Sequence, residues 1–155
     1  MAKVLLMEDQ ADQAALLADL LQTADHDVTI CYNGSTALRN LKNGEFDIVV
    51  ADILVRDRNR DVPDGGLSLM GGIRTMEMGR RAPWDGHLPV IAISGGYTID
   101  TGPDALKMAE TIGADECLPK PLDTAMLLDA IARLTEQFTV KRSVTVGSGL
   151  PAGAA

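Results

Sequence analysis

No stretch of this 155-residue chain approaches the roughly 18 consecutive apolar residues that a membrane-spanning helix needs. Its start, Met-Ala-Lys followed by Val4 to Met7, is too short for the apolar stretch of a secretory leader. Basic runs are missing as well. The formal charge is −8, and a field of that sign repels nucleic acid and anionic membranes. These absences argue against a membrane protein or a direct nucleic-acid binder and predict a cytoplasmic one. There are two cysteines, Cys31 and Cys117, both in apolar strand-like runs and expected to be reduced core thiols. The two histidines, His26 and His87, stand apart in polar loops with no partner that suggests a metal or a triad. No internal repeat is present. What the chain does have is 46% apolar residues, enough to build the core of one compact domain.

The apolar pattern alternates between short runs and helical spacing. Strands are expected at residues 3–7, 28–31, 46–51, 89–93 and 116–118. The 46–51 run is nearly all apolar, as in a strand covered on both faces. Between them, helices are predicted over about 12–25, with Leu16, Leu17, Leu20 and Leu21 as one apolar face, and around Ala37, Leu38 and Leu41, with Ser35 as cap. Further helices are predicted over 67–76, weakened by Gly71 and Gly72, and over 104–112. Asp123 is expected to cap the last one, whose apolar face is Met126, Leu127, Ala130, Ile131 and Leu134. Five strands alternating with five helices predict an α/β fold, a parallel sheet covered on both faces. Residues 1–138 form the domain. Residues 139–155 read as a tail, expected to be flexible, although the alternation of residues 140–146 would also suit an edge strand.

Ligands of an open parallel sheet bind beyond the carboxyl ends of its strands. At those ends stand Glu8 and Asp9 after the first strand, Asp52 after the third, Ser94 after the fourth and Lys120 after the fifth. Singly, each has an ordinary reading: the acids and the serine as caps or turn residues, the lysine as surface. Together they are three carboxylates, a hydroxyl and an ammonium. Clustered carboxylates repel one another unless a cation sits among them, and oxygen ligands of this kind suit Mg²⁺. A carboxylate is also a nucleophile in aspartyl-phosphate formation, a reaction that depends on positioning and charge stabilisation.

From about Lys3 to Leu134 this pattern resembles the receiver domain of two-component response regulators. The resemblance rests on Met7-Glu8-Asp9, Val49-Val50-Ala51-Asp52, Ala92-Ile93-Ser94-Gly95, Gly113-Ala114-Asp115 and Leu118-Pro119-Lys120-Pro121. It implies a flavodoxin-like three-layer sandwich with strand order 2-1-3-4-5. It also implies that Asp52 is the phosphoacceptor. Mg²⁺ would be held by Asp9, Asp52 and the Leu54 backbone carbonyl, with Glu8 acting mostly through a water of the ion. Lys120 would pair with the phosphoryl group, next to a cis bond to Pro121. Ser94 would be the switch hydroxyl, with small Gly95 leaving room. The implied partners are a sensor histidine kinase or a histidine phosphotransfer protein, an unknown downstream protein target, and a second copy through the fourth helix, fifth strand and fifth helix. Such a protein is not an enzyme beyond promoting its own phosphorylation and dephosphorylation.

Three features depart from that family pattern. Cys117 stands where a receiver commonly has an aromatic residue that swings inward with the hydroxyl, so the signal is expected to leave mainly through loop rearrangement. The chain is long between Asp52 and Ser94, with its surplus in residues 55–66 and 79–87. The first, with Arg56, Arg58 and Arg60 among Asp57, Asp61 and Asp64, would select a kinase or gate Asp52, or be a self-neutralising solvated loop. The second is expected at the opposite edge from the chemistry. No output domain follows, so a stand-alone receiver is expected. The alternatives are a receiver-fold scaffold or phosphate sink with atypical switching, and a haloacid-type phosphohydrolase. The phosphohydrolase would want an acid at Leu54. A flavin or dinucleotide binder would want glycines where Glu8-Asp9-Gln10 stands.

Overall fold

The computed structural model describes residues 1–53, 65–94 and 105–142. Leu54, Gly95, residues 55–64 of the charged segment and tail residues 143–155 lie outside the described residues, as does the side chain of Ser94.

Five strands make the main sheet: β1 (Lys3–Met7), β2 (Asp27–Cys31), β3 (Ile48–Asp52), β5 (Val90–Ser94) and β6 (Glu116–Pro119). All four of its pairings are parallel, in the order β2-β1-β3-β5-β6. That is the expected order once two short strands, β4 (Trp84–Asp85) and β7 (Lys141–Arg142), take their numbers in the chain. The strands alternate strictly between two cores, because successive side chains leave a strand on opposite faces. Val4, Leu6, Ile48, Val50, Ile91 and Ile93 point to one face. There they meet Ala18 and Leu21 of α1 (Ala11–Thr23) and Leu127, Ala130, Ile131 and Leu134 of α5 (Thr124–Gln137). Leu5, Met7, Val49, Ala51, Val90 and Ala92 point to the other. That face is covered by α2 (Gly34–Asn43), α3 (Gly66–Met78) and α4 (Ala105–Ile112). Among the described residues, no helix is long and apolar enough to cross a membrane.

Several expectations need correction. The buried stripe of α1 is Ala14, Ala18 and Leu21. Leu17 and Leu20 pack at its edge, and Leu16 is 73% exposed. Four leucines at 16, 17, 20 and 21 span a wider arc than one contact face, and the alanines let α1 lie close to the sheet. On α5 the predicted face holds except for Met126, which is exposed. The cap of α2 is Asn33, whose side chain accepts the Thr36 N–H at 2.8 Å, and Ser35 lies inside the helix. Gly72 does more than weaken α3. A Cβ there would meet Leu38 at 3.0 Å, so the missing side chain lets α2 and α3 approach. Asp123 caps α5 as expected, accepting the Met126 N–H at 3.2 Å.

The segment between α3 and β5 is not a plain loop. Trp84–Asp85 pairs antiparallel with Lys141–Arg142, so the start of the tail closes a small ribbon instead of extending the main sheet. Trp84 is buried and Val140 packs against the same core. Nor does His87 stand alone. Its Nε2 lies 2.6 Å from Asp115 Oδ1, and its ring packs on Phe138 with centroids 4.6 Å apart. Arg74 ties this corner together, donating to Glu77 at 2.8 Å, Asp115 at 2.9 Å and the carbonyls of Leu88 and Gly113. Glu77 Oε1 in turn accepts from Trp84 Nε1 and the Leu88 N–H, and Asp115 Oδ2 from the Val90 N–H. The cluster sits at the amino end of β5, the end away from Asp52, where the second insertion was expected. His26 also has a partner, accepting the Ala2 N–H at 3.1 Å, and burial lowers its pKa.

Candidate functional site

β1 and β3 run side by side in register, Met7 opposite Ala51. Their next residues therefore emerge together, and Glu8, Asp9 and Asp52 place a carboxylate oxygen each within 4.8 Å of one another. Glu8 is fully buried and Asp52 is 3% exposed, whereas Asp9 faces solvent. Ile93 pairs with Asp52, and Ser94 with Pro119, so β5 and β6 end at the same rim. Lys120 follows β6 directly. Its Nζ donates to Asp52 Oδ2 at 2.5 Å and lies 3.6 Å from Glu8 Oε2. The Lys120-Pro121 bond is cis, as expected.

Three carboxylates against one ammonium leave the pocket short of positive charge. The deficit has two visible consequences. Among the described residues, Glu8 Oε2 and Asp52 Oδ1 are buried with no hydrogen-bond partner. Buried acceptors of this kind are costly, and an orphaned pair asks for a proton or a cation between them. In addition, the Glu8 carboxyl is pushed up to about 6, first by burial and then by Asp52 beside it. The Gln10 N–H and Lys120 pull the other way. Mg²⁺ takes oxygen ligands, one or two of them carboxylates, and keeps several waters. The three carboxylates, two of them with an orphaned oxygen, fit such an ion.

The structure brings together Glu8, Asp9, Asp52 and Lys120, four of the residues named from sequence. Two contributors escaped sequence reasoning. Gly66, at the start of α3, lies so close to the Asp52 backbone that a Cβ there would stand 2.7 Å from the Asp52 carbonyl oxygen. In the sequence Gly66 is only the last residue of the first surplus segment, 55–66. Gln13 in the first turn of α1 accepts from Lys120 Nζ at 2.9 Å. No strand-end pattern points to it, because it arrives from a helix. Cys117, at the position of the usual aromatic, is half-buried opposite Ala92 and packs on the core face of α2, α3 and α4.

A doubly wound parallel sheet with an acidic pocket and a lysine at its carboxyl edge defines a class of phosphoacceptor signalling modules. The response regulator receiver domain family matches residues 4–132, and the chain belongs to that family. The response regulator protein FleR of Pseudomonas aeruginosa is 33% identical over 85% of this chain and 24% of its own length. The sensor kinase/phosphatase CqsS of Vibrio cholerae, described as a CAI-1 autoinducer sensor, is 28% identical over 84% of this chain and 17% of its own. The chain thus spans about a quarter or less of these relatives. The signal receiver domain of a histidine kinase from Syntrophus aciditrophicus shares the fold with a TM-score of 0.72. It is 22% identical and covered over 94% of this chain and 98% of its own. A Francisella response regulator receiver domain gives 0.68 at 21% identity, over 88% and 98%.

Proposed function

We propose that Asp52 accepts a phosphoryl group from the phosphohistidine of a sensor kinase or a phosphotransfer protein, and that the phosphorylated chain signals through another protein. The observation that carries this reading is Asp52 itself. It is buried at the carboxyl edge with Lys120 on one oxygen and, among the described residues, no hydrogen-bond partner on the other. In the transfer, a carboxylate oxygen of Asp52 forms the new P–O bond. The P–N bond of the donor breaks, and the imidazole nitrogen keeps the electron pair. Lys120 follows the negative charge from the carboxylate to the phosphoryl oxygens. Ser94, at the carboxyl end of β5 and paired there with Pro119, is proposed as the hydroxyl that serves those oxygens.

Glu8, Asp9, Asp52 and the Leu54 carbonyl would hold Mg²⁺, with Glu8 acting through the ion's own water. When bound there, the ion neutralises charge on the phosphoryl oxygens. Receiver domains are signalling domains, and this chain is proposed to have no turnover beyond its own phosphorylation and dephosphorylation. Its place is proposed to be the cytoplasm. A surface of α4, β6 and α5 is proposed for a target or for a second copy. With Cys117 lacking an aromatic ring, the change on phosphorylation is proposed to run through the loops after β3 and β5, not through β6 and α5.

Incubation with Mg²⁺ and acetyl phosphate, followed by mass spectrometry of the intact chain, tests the reading. Wild type should gain one phosphoryl group and Asp52→Asn none. Equal labelling of both, or none in either, would remove it.

A further inference from the structure

The Lys120 ammonium has three hydrogens, and two neighbours hold it directly. One is Asp52 Oδ2 at 2.5 Å, and the other is Gln13 Oε1 at 2.9 Å. Glu8 Oε2, at 3.6 Å, attracts the charge without fixing its direction. Gln13 is therefore the one uncharged group that orients the ammonium among the described contacts. It comes from α1, an element that has no other polar contact with Lys120 there, across 107 positions of the chain. A lysine stem is flexible, with several rotatable bonds and a compact charged head. Asp52 cannot hold it steadily through the reaction, because the carboxylate gives up its negative charge as it bonds to phosphorus. An amide oxygen does not change charge in that step. It keeps a directional bond on the ammonium throughout and does not compete with the incoming phosphoryl group as a carboxylate would.

We infer that Gln13 is a positioning residue for phosphoryl transfer, holding Lys120 in place as charge moves from Asp52 to the phosphoryl oxygens. This rests on the reading of Asp52 as phosphoacceptor. The step concerned forms a bond between an Asp52 oxygen and phosphorus, and breaks the bond from phosphorus to the donor's leaving group, P–N in a phosphohistidine and P–O in acetyl phosphate. With acetyl phosphate, acetate leaves with the electron pair.

The test uses the full chain with Mg²⁺ and acetyl phosphate, a donor too small to need a docking surface. Gln13→Met keeps the length of the side chain and removes the acceptor. It should slow the maximal phosphorylation rate about ten- to a hundredfold, the scale of one hydrogen bond to a charged group, with half-saturation by acetyl phosphate little changed. Lys120→Ala supplies the control. In that background Gln13→Met should cost nothing further, since there is no ammonium left to hold. A merely structural role would cost the same in both backgrounds, and that outcome overturns the inference. So does an unchanged rate in Gln13→Met, or a change in half-saturation alone. Failure of the underlying reading looks different: wild type itself would take no phosphate, or Asp52→Asn would take as much.

Discussion

Glu8 is the residue whose ionisation the pocket controls most visibly. Its carboxyl is raised to about 6 by burial and by Asp52, against an ordinary value of 4.5. The folded chain therefore holds this proton more tightly than the unfolded one. The resulting stabilisation is fully present below pH 4.5 and is lost as pH rises through 6. Without Mg²⁺, wild type should lose stability relative to Glu8→Gln across that window, as read by urea midpoints at a series of pH values. Because a bound ion replaces the proton, Mg²⁺ should raise the melting temperature above pH 6 and do little below pH 4.5. A Mg²⁺ effect independent of pH would contradict the assignment. Gly66 gives a second prediction at this scale. Its Cβ would fall 2.7 Å from the Asp52 carbonyl oxygen, so Gly66→Ala must shift α3 or the end of β3. It should lower both the melting temperature and the phosphorylation rate. A control at Gly71, where a Cβ meets nothing within 4 Å, should leave the rate unchanged.

At the scale of elements, the corner built on Arg74 joins α3, the segment before β5 and the turn before β6. Arg74, Glu77 and Asp115 keep side-chain exposures of only 13–14%. Removing the guanidinium strands two carboxylates with little water to solvate them. Arg74→Ala should cost about 2–4 kcal/mol of unfolding free energy in urea titration. Arg133, exposed between Asp129 and Glu116 on the surface of α5 and β6, should be replaceable by Ala with little effect. Equal costs at the two positions would deny the Arg74 corner its role. Sequence reading missed this cluster because its members are spread from residue 74 to 115 and meet only through the fold. No local spacing brings His87 to Asp115.

For the whole molecule, a parallel sheet covered on both faces was legible in sequence because nearly all-apolar runs such as residues 48–52 and 90–93 alternate with helical spacing, while the strand order came from the family resemblance. The carboxyl-edge rule then located Glu8, Asp9, Asp52 and Lys120 without coordinates. What was not legible depends on long-range meeting: the Trp84–Asp85 pairing with Lys141–Arg142, and the helix-borne Gln13. Helix faces were also blurred where leucines outnumber the contact stripe, as at Leu16. The ribbon ties residues beyond α5 back to the domain, so its loss should be visible at Trp84, which is buried. Ending the chain after residue 138 should shift its fluorescence to longer wavelength, while phosphorylation at the far end persists. An unshifted spectrum would mean that the ribbon does not cover the indole.

The claim that everything else serves is that phosphate resides on Asp52. An acyl phosphate is reduced by borohydride, which converts the modified aspartate to homoserine and leaves free carboxylates intact. After treatment with Mg²⁺ and acetyl phosphate, reduction and peptide mass spectrometry should find homoserine at position 52, and its yield should fall when Mg²⁺ is chelated. Homoserine at Asp9, or the one-carbon-longer hydroxynorvaline at Glu8, in place of homoserine at 52, or no reduced residue at any position in a chain shown to be folded, would contradict the account.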